Sequence, residues 1–569
     1  MSRRSIYFLV TVIFVIATYI THNVSVWGIN DDFVIEQILN SQEVSFGNKI
    51  VSFMSLFLGF MLALLYDLGG DRRWYGLFIS LSNLIFILIS VKILMTFANG
   101  ISKKFFILVL LIVGPYLILN PTYTVTSILV SSVGILLFLN LVRVNNNGHL
   151  DYLFAGLITS LGFFIRTDSL KGSFVFFGFF VIVYLYLNYN PIINIKRALL
   201  FVAPIVVSVC LELLLMTFVV QKSSENREYL SWQKTRHQLF YTPAILKLHQ
   251  NVAAGEVLKG TWGDVEFTLL RNWAYGEQKV YSSTNIKIGS EFVKNYVGIR
   301  GLINSEFDLV SENLISYLKN VYLIMILCSL AILIAIILAK RKKILGTLIL
   351  ALLVGYLASF YYAAAVLRLP IRVTLPYLLV FILIIIFCLE FSEVKSRSKT
   401  VKLGKFVNIL LIIFFFWFSM FKPLGFLGIT NDNKSKLSWA KQRNVEINNF
   451  SKDATYIGPL THVPNAVDGP YLSKLNYTSL DQTLVLNWST FSPTWKFKSE
   501  QLGVNSNNIY KSLAKGKGIY LVSEPYIASV VEMYMNDHEI TRGKMCPLAD
   551  LSGYDNAKIF TYQAKENDC

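Results

Sequence analysis

Apolar residues in this chain come in long unbroken runs, without the alternating or three-to-four spacing of half-buried strands and helices. The runs occupy about residues 5–22, 50–66, 76–97, 104–120, 123–142, 151–166, 173–189, 198–220, 318–339, 344–363, 371–391 and 405–427. As helices, each crosses or nearly crosses about 30 Å of bilayer hydrocarbon. Two polar stretches, 221–317 and 428–569, are too long to be turns. The second alternates short apolar runs (Thr455–Ile457, Thr483–Leu486, Gly518–Val522, Lys558–Tyr562) with helix-like stretches such as Tyr526–Tyr534. That is the pattern of a small α/β domain. The fold class expected is therefore a polytopic α-helical membrane protein of about 11–13 spans followed by a C-terminal α/β domain.

Composition agrees. The chain is 54% hydrophobic and only 15% charged, against about 25% charged in soluble domains. A soluble reading would need one core far larger than globular domains build. The net charge of +17 invites a nucleic-acid partner, but the Lys and Arg fall largely between apolar runs, where they orient the protein. Nucleic acid is not expected as a partner.

The same charges set the sidedness. Lys395–Lys405, Lys340-Arg341-Lys342-Lys343, Lys196-Arg197, Arg143 and Lys103-Lys104 alternate as cytoplasmic loops should. The N-terminus, with Arg3-Arg4, is then cytoplasmic. Loop 23–49, the large loop 221–317 and the domain 428–569 lie outside. No small-x-small cleavage site follows the first run, which is read as a retained span. Twelve full spans cannot join an inside N-terminus to an outside C-terminus, so one run between 50 and 142 must be interfacial, re-entrant or miscounted, and 50–66 is the one suspected. Cys210, Cys328 and Cys388 sit in apolar runs as packing residues, whereas Cys546 and Cys569 are placed to form one disulfide if exported.

Candidate chemistry gathers on the outer side. Trp27-Gly28-Ile29-Asn30-Asp31-Asp32-Phe33 follows the first span. Asp31 or Asp32 can N-cap a helix there, with Glu36 and Gln37 near capping-box spacing. Alternatively, a carboxylate among Trp27 and Phe33 gains basicity and can take a proton from an acceptor hydroxyl. Arg166 and Asp168 stand at an outer span end, and Leu367-Arg368-Leu369-Pro370-Ile371-Arg372 places two more arginines against the positive-inside trend. Such arginines grip phosphate bidentately or snorkel to headgroups. In the large loop, Trp262 and Asp264 precede Glu266, Arg271 and Tyr275, rings beside carboxylates of the kind that bind sugars. Nucleotide-binding, zinc-protease and nucleophile-elbow motifs are absent, as is Cys/His metal spacing.

These residues in this order resemble the GT-C superfamily of integral-membrane glycosyltransferases, in particular bacterial relatives of the O-antigen-modifying glucosyltransferases and protein mannosyltransferases. The resemblance covers a transmembrane domain of residues 1–427, with 428–569 as a separate extracytoplasmic domain. It implies a hexosyltransferase that moves a sugar from a polyprenyl-phosphate-linked donor to a cell-surface glycan on the outer face of a bacterial cytoplasmic membrane. The catalytic carboxylate would be Asp31 or Asp32, with Asp31 favoured. Arg166, Arg368 and Arg372 would hold the donor phosphate, and Trp262, Asp264 and Asp168 would touch substrate. The oligosaccharyltransferase branch uses a divalent cation. Without a second carboxylate cluster no metal or other cofactor is expected here, Asp264 being the reservation. The competing readings are a polysaccharide polymerase or ligase, a lipid-linked-sugar transporter or flippase, and a non-catalytic assembly factor.

Overall fold

The computed structural model describes residues 3–21, 25, 27, 30–41, 46–69, 72–97, 100–145, 148–187, 191–240, 264–272, 274–289, 291, 371–389, 430–439, 442, 446, 454–459, 483–487, 489–515, 518–541, 543–551 and 559–565. The apolar runs form helices: α1 Arg3–Thr21, α2 Asn30–Asn40, α3 Leu56–Gly69, α4 Trp74–Leu94, α5 Gly100–Leu119, α6 Tyr123–Arg143, α7 His149–Ile165, α8 Thr167–Leu187 and α9 Pro191–Leu215. Among the described residues, three helices are long and apolar enough to cross a bilayer: Trp74–Leu94, Tyr123–Arg143 and Ile195–Val220. The chain is an integral membrane protein on that basis.

At the centre stands α6, every residue of which from Tyr123 to Val142 is buried. Its neighbours approach closely because the contact positions are small. A Cβ built on Gly162 of α7 would run into Ser131 Oγ and the Ser127 carbonyl of α6, and one on Gly156 would meet the Phe201 carbonyl of α9. Gly162→Val is expected to cost at least the ~1–3 kcal/mol of an overpacked core, because part of the obstacle is backbone. A lowered thermal midpoint of the detergent-solubilised protein measures it.

Helix α3 behaves differently. Its 14 residues span only ~21 Å, and both of its ends meet the same face of the bundle. Just before it, Ser55 N–H donates to the Phe164 carbonyl at the end of α7. Near its end, the Tyr66 hydroxyl accepts from Tyr75 N–H in the first turn of α4 (3.0 Å). Both ends of the run at 50–66 are thus bonded at one face of the bundle, to the end of α7 and the start of α4. The opposite face collects the basic loops. There Arg143 donates to Thr96 and lies over the adjacent rings of Phe97 and Phe387, Lys92 pairs with Asp151, and Arg197 donates to Asn145. Cys210, expected as packing, is instead exposed on α9.

The polar regions build a second body. Helix α10 (Ser224–Phe240) follows α9, α11 (Asp264–Arg271) lies in the large loop, and α12 (Ile371–Leu389) returns to the bundle. Beyond them come β1 Thr455–Pro459, β2 Thr483–Leu486, α13 Pro493–Gln501, α14 Ile509–Ala514, β3 Ile519–Ser523, α15 Pro525–Asp537, β4 Lys544–Leu551 and β5 Ile559–Lys565. The sheet order is β2-β1-β3-β5-β4. β2, β1 and β3 are parallel, and β5 and β4 are added antiparallel.

This sheet is not packed alone. Tyr229 and Trp232 of α10 and Phe267, Tyr275 and Tyr281 of the large loop share one core with Ile457, Phe491, Trp495 and Tyr534. Tyr275 donates to the Asn487 carbonyl (2.8 Å) and Tyr534 to Glu277 Oε2 (2.7 Å). Burial pushes the hydroxyls of Tyr275, Tyr281, Tyr510 and Tyr534 above the usual phenol range, so they stay protonated donors. Where described, the loop and the C-terminal region read separately in the sequence are one folded unit. On β4, Cys546 is 1% exposed and disulfide-bonded; Cys569 lies outside the described residues.

Candidate active site

Helix α2 begins at Asn30, so Asp31 and Asp32 occupy its first turn rather than its cap. Consecutive helical residues point about 100° apart, and the two aspartates separate accordingly. Asp32 turns into the protein with Phe33, Ile35, Glu36 and Leu39 and is fully buried, whereas Asp31 remains half-buried at the rim. Asp32 Oδ1 accepts from the Tyr75 hydroxyl (2.6 Å) and from Tyr123 N–H (3.0 Å). One carboxylate oxygen thus joins the first turns of α2, α4 and α6. The Trp27 ring packs 5.2 Å from that of Tyr75.

One helical turn on, Glu36 closes a second polar layer. Its Oε1 accepts from Tyr66 (3.2 Å) and its Oε2 lies 3.5 Å from Arg73 Nη1, both side chains being 2% exposed. Glu36 therefore braces α2 against α3 and α4 instead of closing a capping box. Lys49, its side chain wholly buried, holds Asp67 at 2.6 Å. None of Tyr75, Tyr123, Glu36–Arg73 or Lys49–Asp67 was singled out as chemistry in the sequence. The Asp32/Glu36 spacing of four was the available signal for a polar stripe on one helix face.

Arg166 stands on the other side of Tyr123. It is the residue between α7 and α8, in extended backbone (φ −149°, ψ 115°). Its Nη1 donates to Thr124 Oγ1 at 2.6 Å. Its guanidinium lies 5.3 Å from the ring centre of Tyr123 and 6.0 Å from that of Phe53. The Thr167 N–H also bonds the Phe53 carbonyl. Tyr123 is therefore held at its backbone by Asp32 and covered on its ring by Arg166. The acidic turn and the arginine, 134 residues apart (166 − 32) in the chain, meet through one residue. Arg166 is thus a half-buried cation stacked on two rings and held by one hydroxyl.

The other sequence-derived residues divide. Asp168 is exposed and pairs with Lys171 at 3.1 Å. Arg372 is the second residue of α12. In α8 and α12, which run parallel, a Cβ on Gly172 would meet the Tyr377 hydroxyl, and further along Tyr184 lies 6.1 Å from Phe387. The backbone of Arg372 is thereby level with the start of α8, the turn that carries Arg166. Asp264 opens α11 in the second body. Trp262 and Arg368 lie outside the described residues. Among the described residues no three His, Cys, Asp or Glu side chains are grouped to hold a metal ion.

No family model matches the chain, and no curated protein matches it in sequence. In structure it is similar to ArnT from Cupriavidus metallidurans in the apo state, at 9% identity and a TM-score of 0.42 over 99% of this chain and 98% of that one. It is likewise similar to the same protein bound to undecaprenyl phosphate, at 10% identity and a TM-score of 0.41 over 97% of each chain. Likeness at these values assigns neither a family nor an activity.

Proposed function

We propose that this chain is a membrane glycosyltransferase. It takes a sugar from a polyprenyl-phosphate-linked donor and transfers it to a cell-surface glycan, at the face of the membrane where α2 lies. The observation that carries the proposal is the joining of Asp32 and Arg166 through Tyr123. It sets a carboxylate-bearing turn beside a cation suited to phosphate, at a helix-end face where a lipid-borne phosphate would sit.

In this reaction Asp31 accepts the proton of the acceptor hydroxyl as that oxygen bonds to the anomeric carbon. The bond from that carbon to the phosphate oxygen breaks, and polyprenyl phosphate leaves with its added charge met by Arg166. Asp32, buried with one oxygen engaged by two donors, positions the turn. Arg372, and Arg368 before it, supply further positive charge to the phosphate, and Asp168, Trp262 and Asp264 are assigned to substrate contact. The donor and acceptor are the substrates, and no metal is assigned a role.

The face is the outer one of a bacterial cytoplasmic membrane, with the N-terminus inside and the C-terminal region outside. The bonded Cys546 supports this placement, since such bonds persist in oxidising compartments. Cys546→Ser is expected to lower the outer unit's stability by about 2–4 kcal/mol, read as increased protease sensitivity of whole cells' outer surface. The activity itself is tested by supplying membranes that contain the chain with an isotope-labelled polyprenyl-phosphate hexose. Label entering polysaccharide, with stoichiometric polyprenyl phosphate released, is the expected result. Donor that stays intact in a host whose glycan carries the modification would exclude this donor class.

A further inference from the structure

Arg166 is held in place by a strap, residues 52–56, that runs beside it. The strap bonds the α7–α8 turn on both sides of the arginine. Ser55 N–H donates to the Phe164 carbonyl (3.1 Å), and the Phe53 carbonyl accepts from Thr167 N–H (3.3 Å). The rings follow the backbone. Phe53 stacks 6.3 Å from Tyr123 and faces the guanidinium, and Phe57, just past the strap, lies 5.1 Å from Phe164. We propose that Glu212 of α9 and Tyr229 of α10 are positioning residues for the donor phosphate, fixing the two ends of this strap and so the place of Arg166. The proposal rests on the transferase reading above.

Glu212 holds the end that enters the bundle. A carboxylate on a helix apolar enough to cross the bilayer is costly to keep without a use. Its Oε1 accepts from Leu56 N–H (2.9 Å) and its Oε2 from Phe57 N–H (3.5 Å). These are the first two N–H groups of α3, which have no acceptor within their own helix. The third, that of Leu58, donates to Ser55 Oγ at 3.1 Å. The start of α3 is therefore capped jointly, by a serine of the strap and by a carboxylate from another helix. A negative charge also suits that end of the helix dipole.

Tyr229 holds the other end, and a buried chain of side chains in α10 gives its hydroxyl a direction. Arg236 can only donate, and its Nη2 and Nε reach Gln233 Oε1 at 2.8 and 3.3 Å. The Gln233 amide is thereby turned so that Nε2 donates to the Tyr229 hydroxyl (2.9 Å). Burial pushes that hydroxyl up to about 12, so it keeps its own proton. That proton is directed at Ser52 Oγ, 3.2 Å away. Arg236, Gln233 and Tyr229 are all buried, so the chain is shielded from competing water. Glu212 and Tyr229 thus act on Arg166 through the strap, one from the helix bundle and one from the second body.

The test uses the full chain in lipid nanodiscs, with Glu212→Ala, Glu212→Gln and Tyr229→Phe made in wild-type and Arg166→Ala backgrounds. Donor KM and kcat are measured with labelled polyprenyl-phosphate hexose, and hydrogen–deuterium exchange is followed in peptides covering 164–168. Glu212→Ala is expected to raise donor KM about 5–10-fold with kcat little changed, within the range of coupling inside one network. Tyr229→Phe keeps the ring and should raise it about 2–5-fold, which keeps the test open if Glu212→Ala fails to fold. Glu212→Gln retains an acceptor oxygen and should recover most of the affinity. Both increases should vanish in the Arg166→Ala background, and exchange at 164–168 should rise in both variants. An unchanged KM, an increase of the same factor in both backgrounds, or unchanged exchange overturns the proposal. A wild type that consumes no donor defeats the transferase reading, and exchange then decides by itself whether the strap holds the Arg166 turn.

Discussion

Asp31→Asn is expected to slow sugar transfer by about 10²–10⁴-fold, the range for loss of a general base, in a protein that folds and binds donor as before. Asparagine keeps the size of the side chain and its place at the rim of α2, but it cannot take the acceptor proton. The neighbouring position should respond in a different way. Asp32 is fully buried and its Oδ1 accepts from Tyr75 and Tyr123. Asp32→Ala leaves those buried donors unsatisfied, at about 1–3 kcal/mol each, and removes the tie between three helix starts. Its expected signature is a lowered thermal midpoint together with lost activity. Donor turnover by purified protein, read beside thermal midpoints for both variants, separates chemistry from positioning. A fully active Asp31→Asn would remove Asp31 from the mechanism.

Arg166→Ala is expected to raise the donor KM by roughly 10–150-fold, the equivalent of the ~1.5–3 kcal/mol of a hydrogen bond to a charged group. A lysine keeps the charge but loses the planar fork and its stacking on Tyr123 and Phe53. Arg166→Lys should therefore recover only part of the loss. Sensitivity to Arg166 that appears in kcat alone, with donor KM unchanged, would contradict a ground-state phosphate contact.

Much of the architecture was legible from the chain because lipid imposes one rule on every span. Helix α6, for example, is the run 123–142 extended by one residue. The strands of the C-terminal sheet were also readable, β2 coinciding with Thr483–Leu486 and β1, β3 and β5 beginning within a residue of the runs expected. Strand β4 was missed. It lies at the sheet edge, its burial does not alternate, and Pro547 marks a register shift against β5, so it carries no period-two pattern.

Run 50–66 is apolar enough for a span, yet only 56–69 is helical. Its bonding to Phe164, distant in sequence, and to Tyr75 in the next helix is nothing that the composition of the run displays. The site shows the same division. The acidic pair and Arg166 stood out by type and sidedness. Tyr123, which joins them, reads in sequence as one more aromatic at a membrane interface. The union of the large loop with the C-terminal sheet was equally invisible, because buried Tyr275 and Tyr281 lie in a stretch with no helical or strand periodicity.

The central claim is that this chain adds a sugar to a surface glycan with Asp31 as base. Mass spectrometry of surface glycans tests it most directly, in a host expressing wild type, Asp31→Asn or Asp32→Asn at equal membrane levels. The account predicts a hexose-sized increment with wild type that disappears with Asp31→Asn. An increment that survives both substitutions would contradict the mechanism.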